Sequence, residues 1–320
     1  MYDIITVGSS TVDCFAHTDK SSVKGKYYSF PVGAKLLIED LNFDTGGGGT
    51  NTAVAFSRLG LRTAYLGKMG KGTNSERITY MLRKEKVDDS LVSNKDARTG
   101  FSVVLDAEKR DRTILVYKGS NDDLREDDVK WSKLKTKWFY FSSMMKKSLD
   151  TQKKIAEFAA DREINIAYNP SSYLIKKGVR KIKKILAKTN VLVLNKEEAQ
   201  MLSKKENIIE VLQRLKDMGP EIVAVTDGAK SVFCSDGKNA YMANPHKVRI
   251  KETTGAGDAF AASFVAALIK KKDIEFALRL GIINAESVIT HLGAKNNLLR
   301  WKDAKKEVQK RKIKIVKKEL

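Results

Sequence analysis

Short apolar runs alternate with amphipathic stretches along most of the chain. The runs are rich in β-branched and aromatic residues, as in strands, and the stretches between them repeat apolar residues at helical spacing. The predicted strands are Asp3–Val7, Thr63–Leu66, Trp138–Phe141, Ile164–Tyr168, Val191–Leu194 and Ile222–Thr226. The predicted helices are Ala53–Leu59, Glu76–Lys86, Thr151–Asp161, Val179–Lys188 and Ile208–Met218. This order predicts an α/β fold with a mostly parallel sheet, whose ligands bind beyond the carboxyl ends of the strands.

Two segments depart from this alternation. The runs Thr99–Leu105 and Thr113–Tyr117 flank the charged turn Ala107–Arg112, a pattern typical of an exposed β-hairpin. The segment Val12–Phe43 is also strand-like and has no helical repeat. Together these segments predict a small sheet that projects from the main domain. A mobile lid over a ligand site and an ordinary edge extension of the sheet both fit this pattern.

Composition and apolar patterning predict a soluble protein. The 320 residues are 42% hydrophobic, which is enough to fill a sizeable core. Met1–Gly8 lacks the basic start of a signal peptide, and the longest apolar run, Ala259–Ile269, is about half the length of a membrane span. Cys14 and Cys234 supply no disulfide framework. We therefore expect a cytoplasmic protein with no membrane partner.

The formal net charge of +21 raises the question of nucleic-acid binding. The lysines are spread along the whole chain, however, on positions typical of solvated helix faces, such as Lys181, Lys183, Lys184 and Lys188. No zinc-finger, RNA-recognition or basic-zipper signature accompanies them. We expect no specific nucleic-acid partner, and a basic nucleic-acid-associated protein stays open as an alternative.

The richest motif is Glu252–Asp258, which is followed directly by the apolar run Ala259–Ile269. Its small residues lie at the predicted start of a buried helix, where free N–H groups and the helix dipole favour an anion. A carboxylate there would repel a phosphate, so Asp258 makes more sense as a base that deprotonates a hydroxyl attacking that phosphate. The alternative is a plain first-turn acid favoured by the dipole.

A second glycine motif, Gly46–Asn51, precedes a helix that we predict to begin near Thr52. Four successive glycines let another group approach the backbone closely. Asn51 offers both a donor and an acceptor, which suits a polyhydroxylated ligand. A tight loop with Asn51 as a helix cap is the alternative.

These two motifs, with Asp13, Asn195–Glu198 and Thr226–Gly228 in order around them, resemble the signatures of the ribokinase-like (PfkB) carbohydrate kinase family. The resemblance spans roughly residues 2 to 295. It implies a three-layer α/β/α sandwich with a mostly parallel central sheet and a small β-sheet lid.

The domain layout follows from the same resemblance. It implies one kinase domain over residues 1–320, with a lid formed by about residues 11–45 and 98–118. It also allows a homodimer that forms through the lid.

The resemblance further implies roles for single residues. Asp258 would be the catalytic base, and the backbone amides of Gly255, Ala256 and Gly257 would form the anion hole for the transferring phosphoryl group. The residues that would bind the hydroxyls of the substrate are Asp13, Gly47, Gly48 and Asn51.

The remaining implied roles concern ATP and Mg²⁺. Asn195 and Glu198 match an Asn-x-x-Glu motif that orders water and Mg²⁺ around the ATP phosphates, with Glu198 acting on the metal through water. An ordinary asparagine cap with an acidic first turn is the alternative for this pair. Thr226 and Gly228 would lie along the nucleotide phosphates, and Asn284 would neighbour the adenine.

Two departures from the family bear on specificity. Glu252 stands where relatives carry aspartate at a monovalent-cation site of ribokinase, so potassium dependence is open. Gly48 stands where ribokinase carries lysine, so the identity of the sugar cannot be inherited. The implied activity is ATP-dependent phosphorylation of a hydroxyl of a small sugar. A nucleoside kinase and a catalytically silent sugar- or nucleotide-binding protein are the alternatives.

Overall fold

The computed structural model describes residues 1–18, 23–24, 27–106, 113–291 and 293–320. In chain order the strands of these residues are β1 (Ile4–Val7), β2 (Thr11–Thr18), β3 (Val23–Lys24), β4 (Tyr27–Tyr28), β5 (Ile38–Gly46), β6 (Thr63–Leu66), β7 (Lys68–Met69), β8 (Ser93–Asn94), β9 (Gly100–Asp106), β10 (Thr113–Tyr117), β11 (Trp138–Ser142), β12 (Asn165–Asn169), β13 (Val191–Asn195), β14 (Ile222–Asp227), β15 (Ser231–Ser235), β16 (Asn239–Ala243) and β17 (Ile315–Glu319). Their α-helices are α1 (Gly48–Arg58), α2 (Thr73–Lys84), α3 (Lys146–Ala160), α4 (Ser172–Ile175), α5 (Lys183–Leu186), α6 (Lys196–Ser203), α7 (Ile208–Lys216), α8 (Ala256–Lys271), α9 (Ile274–Ile289) and α10 (Trp301–Lys310).

The main sheet has nine strands in the order β17-β16-β15-β14-β13-β12-β11-β1-β6. All pairs from β6 to β14 are parallel, and β15, β16 and β17 continue the sheet antiparallel. Every residue of β1 is buried, as expected for a parallel strand that is covered on both faces. The predicted mostly parallel sheet is confirmed, and each of the six predicted strands belongs to it.

Helices cover both faces of this sheet. Tyr140 of β11 packs in a core shared with α1, α8 and α9, whereas its neighbours Phe139 and Phe141 pack in a second core with α3, α6 and α7. Because successive side chains of a strand point to opposite faces, β11 contributes side chains to both cores. Helix α8 is apolar all round because it is buried between the sheet and α9. The α/β/α sandwich is confirmed.

A separate four-stranded sheet has the order β10-β9-β2-β5. Strand β2 pairs antiparallel with β5 and parallel with β9, which places Asp13 between Asp44 and Ser102 in register. Strands β9 and β10 form the predicted antiparallel pair. The predicted turn Ala107–Arg112, and residues 19–22 and 25–26 of the strand-like segment, lie outside the described residues. The small sheet is thus confirmed, and its action as a lid stays a prediction.

The predicted helix Val179–Lys188 is wrong as a single element. The chain forms a 3₁₀ turn over Val179–Lys181 and then the short helix α5, with Ile182 between them at φ −116°. Ile182, Ile185 and Leu186 are fully buried. The burial of these three side chains, rather than the helical spacing of the intervening lysines, sets the path of the chain in this segment.

The basic C-terminal segment is part of the fold. It forms α10 and then β17, the edge strand of the main sheet next to β16. Lys317 and Lys318 lie on this edge, and lysines on an edge strand discourage pairing with another sheet. In the part of the chain that the structure describes, no helix combines the length and apolar character that crossing a bilayer requires.

A buried ion cluster fastens the loop that follows β6. Lys68 Nζ lies 2.9 Å from Asp128 Oδ2 and 3.0 Å from Asp123 Oδ2, and Lys95 Nζ lies 2.6 Å from Asp128 Oδ1. Burial raises the pKa of Asp128, but hydrogen bonds from Lys95 and Lys68 outweigh it and hold the pKa well below its usual range. The hydrogen bond from Lys68 lowers the pKa of Asp123 to about 2.

We predict that Lys68→Met lowers the free energy of unfolding by about 3 kcal/mol, because it leaves a buried carboxylate short of its partner. Urea unfolding at pH 7 measures this loss, and an unchanged midpoint would contradict it. Since both carboxylate pKa values are depressed, the wild-type cluster should stabilise the fold above about pH 4 and lose that contribution as the pH falls toward about 2.

Candidate active site

The glycine loop between β5 and α1 lies against the end of β1. Gly47 has φ +100° and caps α1, which begins at Gly48. A Cβ atom at Gly49 would lie 2.7 Å from the carbonyl carbon of Gly8 and 2.7 Å from the ring of Tyr65. The predicted helix start near Thr52 is therefore wrong by about one turn of helix. The glycines belong to the first turn because only residues without side chains fit against β1.

Asn51 is not a helix cap. It is 6% exposed within α1, and its Nδ2 donates a hydrogen bond of 2.9 Å to Asp258 Oδ2. The other end of its amide, Oδ1, accepts a hydrogen bond of 3.2 Å from Lys295 Nζ. Asn51 thus joins the glycine loop to the start of α8, although the two motifs are 207 residues apart in sequence.

Asp258 occupies the first turn of α8 and is half-buried. Burial raises the pKa of this carboxyl, and the hydrogen bond from Asn51 and the charge of Lys295 oppose that rise. A Cβ atom built on Gly48 would lie 3.7 Å from Asp258 Oδ1 and 3.0 Å from Ser142 Cβ. The second carboxylate oxygen therefore faces the glycine loop, where a ligand can approach it.

Asp13 borders the same cleft from the small sheet. Its Oδ1 accepts a hydrogen bond of 2.5 Å from Ser102 Oγ, and its Oδ2 lies against the backbone of Gly46. Asp13 and Asp258 both contribute to the electrostatic environment of Lys295. The structure thus brings together the predicted substrate residues Asp13, Gly47, Gly48 and Asn51 around the predicted base.

The loop before α8 has the geometry of a helix-start anion site. Gly255 caps the helix at φ +81°, and a Cβ atom there would lie 2.4 Å from the carbonyl oxygen of Ala294. Gly257 has no atom within 4 Å of a built Cβ, so its surroundings are open. The Ala256 amide donates a long bond of 3.3 Å to Thr253 O, which weakens it as an anion donor.

A cavity of about 510 Å³ begins at this loop. It is lined by five of the predicted site residues, namely Asn195, Thr226, Gly228, Ala256 and Gly257. Apolar side chains, including Val232 and Phe260, form much of its wall. A largely apolar cavity that meets a helix N-terminus suits a ligand that joins an apolar ring to an anionic chain.

Asn195 and Glu198 make a reciprocal helix cap. Glu198 N donates to Asn195 Oδ1 at 2.8 Å, and Asn195 N donates to Glu198 Oε2 at 3.1 Å. The other oxygen, Oε1, accepts 2.8 Å from Ser172 N. Burial raises the pKa of Glu198 despite these bonds. Each carboxylate oxygen accepts one backbone amide and keeps a further lone pair, which suits the predicted contact with a metal ion through water.

Asn284, which we predicted to neighbour the adenine, does not line this cavity. Asn284 is fully buried, donates to Ser263 Oγ at 2.6 Å and accepts from Leu299 N at 2.9 Å. The residues of α9 that do line the cavity are Ile282, Ala285, Glu286 and Ile289. These share one face at helical spacing, and Asn284 points instead toward α8.

The cavity wall also contains a charged cluster that no sequence motif predicted. Glu286 is 4% exposed and lies 2.5 Å from a guanidinium nitrogen of Arg311. His246 donates its backbone N–H to Glu286 at 2.6 Å, and its ring Nδ1 lies 3.2 Å away from both carboxylate oxygens. Arg311 thereby links the C-terminal segment to this wall.

The loop after α9 holds the two halves of the site together. Gly293 N donates to Glu252 Oε2 at 2.7 Å, which ties this loop to the start of the α8 motif. Lys295, two residues later, reaches Asn51. Lys295 was not predictable from the sequence, because one lysine among sixty basic residues carries no distinguishing pattern.

The chain matches known proteins along nearly its whole length. The model of the pfkB family carbohydrate kinases matches residues 1–301. An uncharacterized sugar kinase of Archaeoglobus fulgidus is 32% identical over 255 residues, which are 78% of this chain and 100% of that protein.

Solved structures show the same fold. The ribokinase of Arabidopsis thaliana, complexed with ribose and ATP, has a TM-score of 0.82 at 19% identity, covering 96% of this chain and 99% of that one. The nucleoside kinase of Methanocaldococcus jannaschii has a TM-score of 0.79 at 21% identity, covering 96% and 98%. The family match over almost the entire sequence establishes that this chain belongs to the pfkB family of carbohydrate kinases.

Proposed function

We propose that this kinase transfers the γ-phosphate of ATP to a primary hydroxyl of a small sugar, with Asp258 as the base. The position of Asp258 carries the proposal. Its Oδ2 is held by Asn51 at 2.9 Å, and its Oδ1 faces Gly48 in the loop that would bind the sugar. Its sequence neighbours Ala256 and Gly257 line the cavity that would hold ATP. Asp258 therefore faces the glycine loop and directly follows, in sequence, residues that line the cavity.

In this mechanism the sugar lies between the glycine loop and Asp13, with one hydroxyl at Asp258 Oδ1. Asp258 accepts the hydroxyl proton as the oxygen attacks the γ-phosphorus in line, and ADP leaves. The amides at the start of α8, chiefly those of Gly255 and Gly257, stabilise the charge that develops on the phosphoryl oxygens. The cleft fixes the orientation of the two reactants, which removes much of the entropic barrier.

ATP and Mg²⁺ would be held at the far end of the cleft. Thr226 and Gly228 would follow the phosphates, and apolar side chains of the cavity would enclose the base. Asn195 and Glu198 would contact Mg²⁺ through water, as their capped geometry permits. When bound, Mg²⁺ neutralises charge on the ATP phosphates.

An ADP-release assay with Mg·ATP tests this function. The acceptors are pentoses, hexoses, sugar phosphates and nucleosides, and Asp258→Asn prepared in parallel controls for contaminating kinases. We expect acceptor-dependent ADP release with at least one sugar. Release with nucleosides only would move the acceptor to that class, and tight sugar binding without ADP would favour a silent binding protein. Activity on no acceptor would contradict the proposal.

We further propose that the small sheet acts as a lid, within one domain, and that a homodimer forms through its outer face. Leu41, Phe43, Leu115 and Tyr117 are each about half exposed on the face opposite Asp13. Light scattering measures the mass, and a monomer at micromolar concentration would contradict the dimer. A cytoplasmic location and the absence of a specific nucleic-acid partner remain predictions, which cell fractionation and binding titrations across salt concentrations test.

A further inference from the structure

Lys295 is a buried cation that none of the roles above uses. It lies in the loop after α9 and is 4% exposed. The guanidinium group of Arg58 donates to the backbone oxygens of Lys295 and Leu298 at 2.9 and 3.2 Å. Arg58 is fixed in turn by two hydrogen bonds to Glu85, at 2.7 and 2.8 Å. The loop is therefore clamped to the end of α1, and this clamp holds the side chain of Lys295 inward.

The contacts of Lys295 decide which way the amide of Asn51 points. Lys295 Nζ donates to the backbone oxygen of Thr45 and to Asn51 Oδ1, the latter at 3.2 Å. A lysine ammonium has three donors and no acceptor, so the Asn51 atom that faces it must be the oxygen. The amide nitrogen then faces Asp258 Oδ2 at 2.9 Å. With the amide reversed, two acceptors would face each other at Asp258.

Lys295 also carries the positive charge among three carboxylates. Its pKa is lowered by burial, and the charges of Asp44, Asp13 and Asp258 oppose that lowering. Asp44 Oδ1 lies 4.0 Å from Nζ. Of these partners, Asp13 comes from β2, Asp44 from β5 and Asp258 from α8. One cation therefore interacts electrostatically with carboxylates from three elements of the cleft.

The other ionisable groups near this pair are few among the described residues. Arg58 faces Lys295 from α1 and adds a like charge. Tyr140 faces Asp258 from β11, and burial together with the charge of Asp258 holds its pKa well above the usual range, so its hydroxyl stays neutral. Lys295 is thus the cation that opposes the effect of burial on Asp258.

We propose that Lys295 is a positioning residue for the phosphoryl transfer: it orients Asn51 toward Asp258 and keeps the half-buried base ionised. The inference rests on the proposed role of Asp258 as the base. Lys295 does not touch the reacting atoms and acts through Asn51 and through its charge. A purely structural role would instead affect only the packing of the loop after α9 and the stability of the fold.

The pH dependence of kcat/KM in variants that carry an uncharged side chain at position 295 distinguishes the positioning role from a purely structural one. Because Asp258 must be ionised to act, raising its pKa moves the acid limb of the profile to higher pH. We expect Lys295→Met to move this limb upward by about one pH unit, which is the size of pKa shift that the loss of a nearby opposite charge produces. At the optimum pH, kcat/KM should fall by about 10²-fold, as for a displaced catalytic group.

Three further variants complete the experiment. Lys295→Arg keeps the charge, so the acid limb of its pH profile should lie closer to the wild-type position than that of Lys295→Met. Lys295→Gln keeps an N–H donor without the charge, so its limb should move as in Lys295→Met; it also provides the test if the methionine variant does not fold. Lys68→Met is the matched control, because it removes a buried paired lysine from the ion cluster at Asp128. It should lower stability and leave the acid limb in place.

The outcomes distinguish this inference from the proposed function. If wild type is active and both neutral Lys295 variants keep the wild-type acid limb, the positioning role is overturned and Lys295 is structural. If Lys295→Arg shows the same displaced limb as Lys295→Met, the charge is not the operating feature and the proposal is also overturned. If wild type phosphorylates no acceptor, the proposed function itself fails before Lys295 is tested.

Discussion

Replacing Asp258 by asparagine should lower kcat by on the order of 10² to 10⁴-fold, the contribution of a general base. Asparagine has nearly the same shape and still offers an oxygen to Asn51 Nδ2, so the cleft keeps its packing. It cannot accept the hydroxyl proton. Because asparagine keeps the hydrogen bond to Asn51, the variant should remain folded under assay conditions.

Steady-state turnover with the best acceptor measures this loss, and thermal unfolding checks the fold. Asp303→Asn is the matched control, since Asp303 is also an aspartate in the first turn of a helix, α10, but is exposed to solvent. It should keep wild-type turnover. Near-normal activity of Asp258→Asn with an intact fold would remove the assigned role from Asp258.

Gly255→Ala should remove activity and lower the free energy of unfolding by about 3 kcal/mol, from left-handed strain of about 1 kcal/mol plus overpacking. Gly255 has φ +81°, and its new Cβ would lie 2.4 Å from Ala294 O and 2.6 Å from Ala294 Cα. The backbone there cannot give way easily, because the neighbouring Gly293 and Lys295 anchor the loop. The amides at the start of α8 would therefore move.

Gly257→Ala provides the comparison. Gly257 lies in the same motif, but a Cβ there meets no atom within 4 Å, and its backbone is helical. Alanine in a helix is favoured over glycine by about 0.5 to 1 kcal/mol, so stability should be unchanged or higher. Urea unfolding of both variants measures the difference. Equal stabilities would show that Gly255 is not held by the contact with Ala294.

The fold followed from the sequence where a periodic pattern and burial agree. The strand Trp138–Phe141 was predictable because its apolar run is covered on both faces, and so was the hairpin of Thr99–Leu105 and Thr113–Tyr117. The start of α1 was not predictable from propensity, since glycines disfavour helices and only contact with Gly8 explains their place in the first turn. Tertiary contact likewise broke the predicted helix Val179–Lys188.

For the candidate site, motifs with a local mechanism were informative and single side chains were not. The glycine-rich start of α8 indicates an anion site formed by backbone amides, so the adjacent Asp258 could be predicted as a candidate base. Lys295 acts only through contacts across the fold, which no spacing reveals. The face of α9 that meets the cavity was not predictable either, because both faces of this helix are buried and the apolar pattern does not distinguish them.

The most direct test of the account is to follow the γ-phosphoryl group itself. ATP labelled with ¹⁸O in that group is incubated with wild type or Asp258→Asn and the best acceptor, and the products are identified by mass spectrometry. If Asp258 is the base, wild type delivers the label to a hydroxyl of the acceptor, and Asp258→Asn leaves nearly all of it on ATP. Label found in free phosphate alone, or on the acceptor at equal rates with both proteins, would contradict it.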